Sequence, residues 1–372
     1  MLPYRILIHP EAYQKAEAYR IYLVTNGINE AGLYLQRELK DKALTKLNAE
    51  AFIEDLFATK LPLIFAESAV YGNGNDWNQT ELSILGDIGV ETSVEIYDDG
   101  KFFTPSVHKT PFSATVLFIP GTLLRNGKGN IPADWNEVTQ DSQINPIGYQ
   151  ALYERRLLPL LVYANNQAKL ADKNAFITIP GLGCGQFAGP FTGQLGSHLK
   201  DALVALLQKY ADKLPFVKAV YYDPFTECQN ERREFGTLSL LVRALTQGNQ
   251  DKPQLCEPVH YAEAGDDYSD CLLFSVVAWD HVSWPGNDFY GGSRSTDDGV
   301  KAAATNSMKI MTRIEGKYNP VTNHYEPPTK YHDWAAVVQQ NNLRITVQKN
   351  LSILPVLIDL VLSDKFLTKY TY

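Results

Sequence analysis

The sequence predicts an α/β protein in which a layered sheet carries helices on its faces. Short apolar, β-rich runs alternate along the chain with segments whose apolar residues recur at helical spacing. The runs lie at 114–120, 175–180, 216–222 and 271–279, and the helix-like segments lie at 149–167 and 197–213. This alternation is typical of a sheet covered by helices, whose ligand sites lie at the carboxyl ends of strands. Three glycine-rich or aspartate-rich segments follow such strands, so we expect the functional site there.

The first 80 residues have a different pattern. Apolar residues recur at three-to-four spacing from about residue 11 to residue 60, which predicts helices. The polar segment YGNGNDWNQT at 71–80 then precedes strand-like sequence that begins near Thr92. We therefore predict a helical N-terminal region over residues 1–80 and an α/β domain over residues 81–372. The apolar run LSILPVLIDLVL at 351–362 is too short to span a bilayer and predicts a buried helix.

The composition limits the class of protein. The 372 residues are 45% hydrophobic and 20% charged, so the chain can bury a large core. A net charge of -8 argues against nucleic acid and anionic membranes as partners, because both need clustered Lys and Arg, whereas a basic or arginine-bearing partner is easily accommodated. Four cysteines without a CxxC pair favour a reducing compartment. The start, MLPYRILIHPEAY, lacks the basic and apolar regions of a Sec signal peptide, and we expect a soluble protein.

The first loop at a strand end is PGTLLRNGKGN, residues 120–130. It superficially suggests a phosphate-binding P-loop, but the spacing from Gly121 to Gly127 and Lys128 is one residue too long. Gly129 also replaces the Ser or Thr that would hold magnesium. A nucleotide triphosphatase is therefore disfavoured, and a flexible surface loop remains an alternative.

The second loop, PGLGCGQFAGPFTGQLG at 180–196, lies between a strand and a helix. Its residues Gly183, Gly185 and Ala188 satisfy a G-x-G-x-x-A spacing, which lets backbone amides approach a phosphate near a helix N-terminus. The first acidic residue at a following strand end, Asp223, lies far beyond the offset for ribose recognition in a dinucleotide site. We expect phosphate binding rather than dinucleotide redox chemistry, with a simple tight turn as the alternative.

The third segment, WDHVSWPGNDFYGGSRSTDDGVKAAATNSM at 279–308, contains four aspartates. Asp280 follows the apolar strand directly, and Asp298 precedes a helix-like run and is predicted to be its N-cap. Asp288 lies between a turn and an aromatic residue, and a solvated loop position is the simpler interpretation of Asp297. Converging carboxylates raise one another's pKa unless a cation joins them. A divalent metal or an arginine guanidinium would relieve the repulsion, and the sequence leaves both open.

Histidine and cysteine contribute little to this picture. The seven histidines form no HExxH or similar ligand spacing, so we expect no zinc site. No G-x-S-x-G motif is present, and Cys184, which lies among glycines, is a weak candidate for a nucleophile. We therefore assign no metal and no cofactor.

Two of these segments resemble a known family. ITIPGLGCGQFAG, followed by a helix and a strand, resembles the second phosphate-binding loop of macrodomains, the ADP-ribose-binding fold. DHVSWPGNDFYGGSRSTDDGVKAAATNSM is more specific and resembles the arginine-specific ADP-ribosyl hydrolase macrodomains. The resemblance implies a three-layer α/β/α sandwich with a mixed central sheet and an added helical N-terminal region. The usual asparagine-rich first loop with its glycine triplet is replaced by LFIPGTLLRNGKGN, which points to a divergent branch.

The resemblance also implies a function. It indicates hydrolysis of the N-glycosidic bond between ADP-ribose and a protein arginine, with ubiquitin as the modified protein and ADP-ribose as the only ligand. A bacterial effector secreted into the host cell cytoplasm would fit, and the oligomeric state stays open. The implied catalytic residues are Asp280, Asp288 and Asp298. The implied ligand-binding residues are Pro120, Gly121, Thr122, Leu123, Gly183, Cys184, Gly185, Gln186, Phe187, Asn287, Phe289 and Asp297.

The roles of the aspartates follow from the chemistry of that bond. Its cleavage builds positive charge on the ribose, as in glycoside hydrolysis, so one carboxylate can activate water while another holds the guanidinium. We assign Asp288 or Asp298 to water and Asp280 to the guanidinium or its ribose, with Asn287 and Phe289 shaping the ribose pocket. Two alternatives remain: a non-catalytic ADP-ribose reader, and a metal-dependent ADP-ribosyl hydrolase or phosphohydrolase.

Overall fold

A computed structural model describes residues 3–356 of the protein. Its strands are β1 (Tyr4–Ile8), β2 (Ile88–Asp98), β3 (Val107–Pro120), β4 (Thr139–Gln140), β5 (Gln143–Ile144), β6 (Asn174–Pro180), β7 (Val217–Asp223), β8 (Glu231–Phe235), β9 (Leu238–Val242), β10 (Cys271–Trp279), β11 (Lys317–Asn319), β12 (His324–Glu326) and β13 (Leu351–Ile353).

The α-helices are α1 (Pro10–Asn26), α2 (Leu33–Leu39), α3 (Ala49–Phe57), α4 (Ala66–Ala69), α5 (Gln79–Gly86), α6 (Trp135–Val138), α7 (Pro146–Leu170), α8 (Leu195–Tyr210), α9 (Asp297–Ala304), α10 (Ser307–Thr312) and α11 (Trp334–Gln340). Short 3₁₀ helices lie at Ile28–Glu30, Leu44–Lys46, Gln186–Phe191, Ala211–Lys213, Pro258–Tyr261 and Asn287–Gly291.

Nine strands form one mixed sheet in the order β13-β1-β2-β3-β10-β6-β7-β9-β8. The five strands β3, β10, β6, β7 and β9 run parallel to one another, and β1, β2 and β8 introduce the antiparallel pairings. The register places Trp279 beside Pro120, so β3 and β10 end together. The parallel block therefore presents the carboxyl ends of its strands, and the loops that follow them, along one edge.

Helices cover both faces of this sheet. One core contains Ile6 and Ile8 of β1 with apolar residues of α1, α3, α9, α10 and α11, whereas Leu7 joins a second core formed by α7 and α8. This division follows from the pleat of a strand, which points successive side chains to opposite faces. The predicted three-layer α/β/α sandwich with a mixed sheet is thus confirmed, and each strand and helix predicted between residues 114 and 279 is present.

The N-terminal region is connected to the main sheet. Strand β1 pairs with β2 and β13, so residues 1–80 also contribute a strand, although the division at residue 80 stays a prediction. Within the polar segment at 71–80, Trp77 is fully buried, stacks on Tyr34 with ring centroids 4.4 Å apart and donates a hydrogen bond of 2.7 Å to Thr59 Oγ1. This segment is therefore packed against the N-terminal helices.

The C-terminal prediction was wrong where the structure tests it. Residues Leu351–Ile353, expected in a helix, form β13 parallel to β1, while residues 357–362 of the predicted helix lie outside the described part of the chain. The amide of Ile6 donates to Asn350 O, and the amide of Leu354 donates to Ile8 O, both at 2.9 Å. A short apolar run is compatible with a strand or a helix. Here it forms a strand, because the edge of β1 offers backbone groups with which it can pair. Among residues 3–356, no helix is long and apolar enough to cross a membrane.

Replacing Trp77 with alanine tests the packing of the 71–80 segment. Removing this buried ring and its hydrogen bond is expected to lower the free energy of unfolding by ~3–5 kcal/mol. Tyr71→Ala in the same segment is the control, because Tyr71 is 39% exposed, and its loss is expected to cost less than about 1 kcal/mol. Urea unfolding measures both variants, and equal stability would show that the segment is a loose linker.

Candidate functional site

The three predicted loops lie side by side in the structure. They follow β3, β10 and β6, which are adjacent in the sheet and end at the same edge. We name them the first loop (120–130), the glycine loop (180–196) and the aspartate loop (280–298). Such an edge is where α/β sheets place their ligands, because chain reversals there leave a crevice.

The first loop and the glycine loop touch through their backbones. A Cβ atom on Gly121 would lie 2.2 Å from the amide nitrogen of Gly183, and one on Gly183 would lie 2.7 Å from the amide nitrogen of Thr122. Gly183 also has a φ of 75°, a conformation that favours glycine. The buried hydroxyl of Tyr153 joins the loops, since it donates to Leu182 O at 2.6 Å and accepts from the amide of Thr122 at 3.1 Å.

The two loops differ in the amides that they leave free. In the first loop, the amide of Thr122 bonds to Tyr153 and that of Leu123 donates to Asp134 Oδ2 at 2.8 Å. In the glycine loop, the amides of Gly183 and Gly185 donate to no other group of the described chain. The glycine loop can therefore offer the amide of the exposed Gly185 to an anion, whereas the buried Gly183 packs against the first loop, which supports the glycine loop from behind.

The remaining predicted residues of these loops have mixed environments. Pro120 is buried, Gly185 and Gln186 are exposed, and Phe187 is half-buried with its carbonyl accepting from Leu124 at 2.8 Å. Gln186 accepts a hydrogen bond of 2.6 Å from the exposed Arg125. Hydrogen bonds therefore also connect the first loop to the glycine loop at residues 124–125 and 186–187.

Cys184 lies within the glycine loop, and burial raises the pKa of its thiol well above the ordinary range. A protonated thiol is a poor nucleophile, so this environment disfavours cysteine catalysis. All four cysteines are free in the structure.

A network of buried charges supports the first loop, and sequence reasoning missed it. Arg156 is 1% exposed, donates to Gly121 O at 2.9 Å and forms an ion pair of 2.7 Å with Asp134. Asp87 accepts from Arg156 at 3.1 Å and from Arg155 at 2.6 Å. Two adjacent arginines within the apolar helix sequence YERRLLPLL were the available signal, since a buried arginine requires carboxylate partners.

The same network reaches the aspartate loop through His281. Its Nε2 lies 3.3 Å from Asp134 Oδ2, and the ring is fully buried. Burial lowers the pKa of His281 and so favours the neutral ring, whereas Asp134 opposes this effect. Burial alone would raise the pKa of Asp134, but the charge of Arg156 and the contact with His281 outweigh it and hold that pKa well below its usual range.

Asp280 anchors the start of the aspartate loop. Its Oδ1 accepts from the amides of Val282 at 2.8 Å and Ser283 at 2.6 Å, and its Oδ2 accepts from Asn287 Nδ2 at 2.7 Å. Burial raises the pKa of Asp280, although Lys60 and the two amides oppose this effect. Both oxygens are therefore engaged within the protein.

Asp288 is the most strongly bonded carboxylate of the loop. It accepts from the amides of Ser295 and Thr296 at 2.9 and 3.1 Å, and from their hydroxyls at 3.0 and 2.6 Å. Its oxygens would lie only 2.1 and 2.5 Å from a Cβ atom on Gly299. Asp288 therefore closes the loop over the first turn of α9, and glycine at position 299 makes room for it.

Asp298 is not the N-cap that the sequence predicted. Thr296 caps α9, since its hydroxyl accepts from the amide of Gly299 at 3.0 Å, and Asp298 lies within the first turn. Threonine competes well for a cap position, and the two positions differ by only two residues. Asp298 Oδ1 instead accepts from the amide of Gly286 at 2.8 Å, while its buried Oδ2 has no partner within the described residues. Burial raises the pKa of Asp298 well above its ordinary value, and the charge of Asp288 adds to the effect.

The other predicted residues of this loop support its shape. Asn287 bridges Asp280 and the amide of Ile64, and Phe289 is 2% exposed, with its ring 5.3 Å from that of His324. Asp297 accepts from the amide of Ala278 at 2.7 Å and from Lys301 at 3.1 Å, so it is a bonded residue rather than a solvated one.

Lys60 is a second residue that sequence reasoning missed. It is 2% exposed and lies beside the aspartate loop, where its Nζ donates to His281 O at 2.6 Å. Burial lowers the pKa of Lys60 to about 7, although Asp280 and Asp298 oppose that effect. Its sequence context, FATKLPL, did not indicate a functional lysine. Lys60 and Asp280 are 220 residues apart in the chain, and only the tertiary fold brings them together.

Residues 3–356 contain no group of three or more His, Cys, Asp or Glu side chains arranged to hold a metal ion. The aspartates instead bond to amides, hydroxyls and an asparagine. The arrangement provides free amides for an anion on one side and a carboxyl oxygen without a partner on the other.

Comparison with known proteins gives one clear result. The family model described as macrodomain effector MavL matches residues 4–331, which is most of the chain and includes all three loops. The search of curated proteins gave no significant match.

The contact between Gly121 and Gly183 can be tested by adding a methyl group. Gly121→Ala is expected to lower the free energy of unfolding by ~1–3 kcal/mol, because the methyl would press on backbone that cannot yield. Gly291→Ala is the control, since its methyl would meet only the end of the exposed Leu63 side chain at 3.2 Å. Thermal unfolding of both variants measures the difference, and a Gly121→Ala variant as stable as the wild type would contradict the contact.

The environment of Asp298 predicts a pH-dependent effect of Asp298→Asn. The folded-state pKa of Asp298 is raised above its ordinary value of 3.8, so the folded protein holds the carboxyl proton more tightly than the unfolded chain does. The stabilisation of the fold by this proton is complete below pH 3.8 and is lost as the pH rises through the raised pKa. The asparagine cannot ionise, so at pH 8 the variant is expected to be more stable than the wild type by ~0.5–2 kcal/mol.

This difference should shrink toward pH 4. Urea unfolding between pH 4 and pH 8 measures it, with Asp41→Asn at an exposed position as the control. A variant that is less stable than the wild type at pH 8 would show that the Asp298 carboxylate is favourably bound in the folded protein.

Proposed function

We propose an ADP-ribosyl hydrolase activity on protein arginine for this chain, which belongs to the macrodomain effector MavL family. The observation that carries the proposal is the buried Oδ2 of Asp298, which has no hydrogen-bond partner among the described residues. A buried carboxyl oxygen without a partner is costly to stability, and such strain is characteristic of functional sites. A substrate or a water molecule would supply the missing partner.

The glycine loop is proposed to bind the diphosphate of ADP-ribose. The amides of Gly183 and Gly185 are unengaged, and exposed Gly185 and Gln186 place this part of the loop at the surface. Backbone amides bind phosphate oxygens well because they carry no charge that must be desolvated and are already oriented. Pro120, Gly121, Thr122 and Leu123 then act through their contact with this loop, which holds Gly183 in place.

The aspartate loop is proposed to carry out the hydrolysis. The bond between the ribose C1″ and a guanidinium nitrogen breaks, the water oxygen bonds to C1″, and the water proton moves first to a carboxylate and then to the departing guanidine. Asp298 suits proton transfer, because its Oδ2 has no hydrogen-bond partner among the described residues and burial raises its pKa above the ordinary value, which makes the carboxylate a stronger base. Asp288 accepts four hydrogen bonds, so we assign it to holding the loop.

Asp280 is proposed to stabilise the positive charge that develops on the ribose and the guanidinium. It is buried at the end of β10, and its orientation is fixed by two amides and Asn287. A carboxylate held in place before the reaction stabilises such charge without reorganisation. Ubiquitin is proposed as the modified protein, and the host cell as the place of action, on the strength of the sequence resemblance of the aspartate loop to the arginine-specific ADP-ribosyl hydrolase macrodomains.

A turnover assay tests the proposal. Ubiquitin that carries ADP-ribose on arginine is incubated with the protein, and free ADP-ribose is measured beside serine- and glutamate-linked substrates. Release from the arginine-linked substrate is expected, and it should persist after exhaustive EDTA treatment. Asp298→Ala is expected to lower the rate by ~10²–10⁴-fold through loss of the general base, while calorimetry should show that the variant still binds ADP-ribose.

Asp41→Asn is the control for this assay, because Asp41 is exposed and lies outside the three loops. Binding of ADP-ribose without release from any linkage would identify a reader instead of an enzyme. Loss of activity on EDTA treatment would favour a metal-dependent hydrolase, and an Asp298→Ala variant with the wild-type rate would refute the assigned role.

A further inference from the structure

Lys60 occupies an unusual position for a lysine. Its ammonium nitrogen lies 2.6 Å from His281 O, 3.5 Å from Asp280 O and 4.0 Å from the ring centroid of Trp279. All three contacts belong to the end of β10 and the first residues of the aspartate loop. Within residues 3–356, this ammonium forms no direct ion pair with a carboxylate.

The segment that carries Lys60 is bonded along the aspartate loop. Leu61 donates to Val282 O at 2.9 Å and accepts from the amide of Trp284 at 2.8 Å. The Lys60 carbonyl accepts from Trp284 Nε1 at 2.9 Å. These bonds fix the lysine relative to the loop, so the position of its charge is defined by the fold.

The other buried cations near the three loops are already matched with carboxylates. Arg156 pairs with Asp134 and Asp87, and Lys301 pairs with Asp297. Arg294, within the aspartate loop, forms a double hydrogen bond with Asp98 at 2.7 and 2.8 Å. Unlike these residues, Lys60 has no carboxylate ion-pair partner among residues 3–356, and its charge acts on Asp280 and Asp298 from outside any such pair.

The ionisable groups that face Lys60 are Asp280 and His281 of the aspartate loop and Asp298 of α9. Of these, His281 is held by Asp134 on its other side, which leaves the two carboxylates. Two buried carboxylates without a cation would favour their protonated forms, since burial disfavours charge and like charges repel. In return, the negative charges of Asp280 and Asp298 favour the charged form of Lys60.

We propose that Lys60 is a positioning residue of the hydrolase: its hydrogen bond to His281 O fixes the turn that presents Asp280, and its charge favours the ionised forms of Asp280 and Asp298 against the effect of burial. The inference rests on the proposed function for its catalytic meaning and on the contacts of Lys60 for its physical basis. The N-terminal region thereby supplies a part of the active site, because Lys60 lies between α3 and α4.

The charge of Lys60 is expected to make the reaction depend on pH. Burial lowers the pKa of Lys60 to about 7, with Asp280 and Asp298 opposing the effect. The lysine loses its charge as the pH rises through that value, so kcat should decline on the alkaline side. A variant without an ionisable group at position 60 should lack this decline.

Lys60→Met and Lys60→Gln separate charge from hydrogen bonding, because both are neutral and only glutamine can donate to His281 O. Both variants are expected to lower kcat at pH 7 by about tenfold or more, because raising a carboxyl pKa by one unit reduces its ionised fraction by up to about tenfold. KM should change little. Both should also lose the alkaline decline of the pH profile. Lys46→Met, at an exposed lysine of the same region, is the control.

A carboxyl titration provides a readout that does not require turnover. Carbon-13 NMR of aspartate carboxyl groups, assigned with Asp280→Asn and Asp298→Asn, should show higher apparent pKa values in Lys60→Met and Lys60→Gln than in the wild type. If wild-type protein releases no ADP-ribose, the proposed function fails while this titration still decides the role of Lys60.

Three results would overturn the inference. The first is an unchanged carboxyl titration in both folded variants. The second is a wild-type kcat in Lys60→Gln, which would assign the role to the hydrogen bond alone. The third is a loss of kcat that is explained by a smaller folded fraction in thermal unfolding, while the pH profile stays unaltered. That result would make Lys60 a structural residue.

Discussion

The burial of several carboxylates at the end of β10 is the constraint on which the site depends. Each carboxylate must be compensated, because a buried charge without partners costs several kcal/mol. Asp280 and Asp288 are compensated by amides, hydroxyls and Asn287. Asp298 is compensated at only one oxygen, and its Oδ2 is a buried carboxyl oxygen of the loop that has no hydrogen-bond partner among the described residues.

Two parts of the chain outside the loops make this arrangement possible. From one side, α7 contributes Arg156, which holds the first loop through Gly121 O and reaches His281 through Asp134. From the other side, the segment after α3 contributes Lys60 and bonds along the aspartate loop. The N-terminal region is thus a structural support of the site as well as a covering of the sheet.

Much of the fold and the outline of the site could be predicted from the sequence. The alternating strands and helices from 114 to 279 were correct, and they placed three loops at one edge because parallel strands end together. The errors were local. Thr296 took the cap position expected for Asp298, and residues 351–353 paired with β1 instead of forming a helix. Both were choices between near-equal local options that a tertiary contact decided.

The sequence by itself determined which residues could carry chemistry: the glycines that allow the loops to meet and the aspartates that follow β10. Those properties are local, since they depend on the absence of a Cβ atom or on a position after an apolar strand. Only the tertiary structure decided which amides and which carboxyl oxygen remain without partners, and that Lys60 and Arg156 lie beside the loops. Hydrogen bonding and charge compensation join residues far apart in the chain, so no pattern within a single segment can specify them.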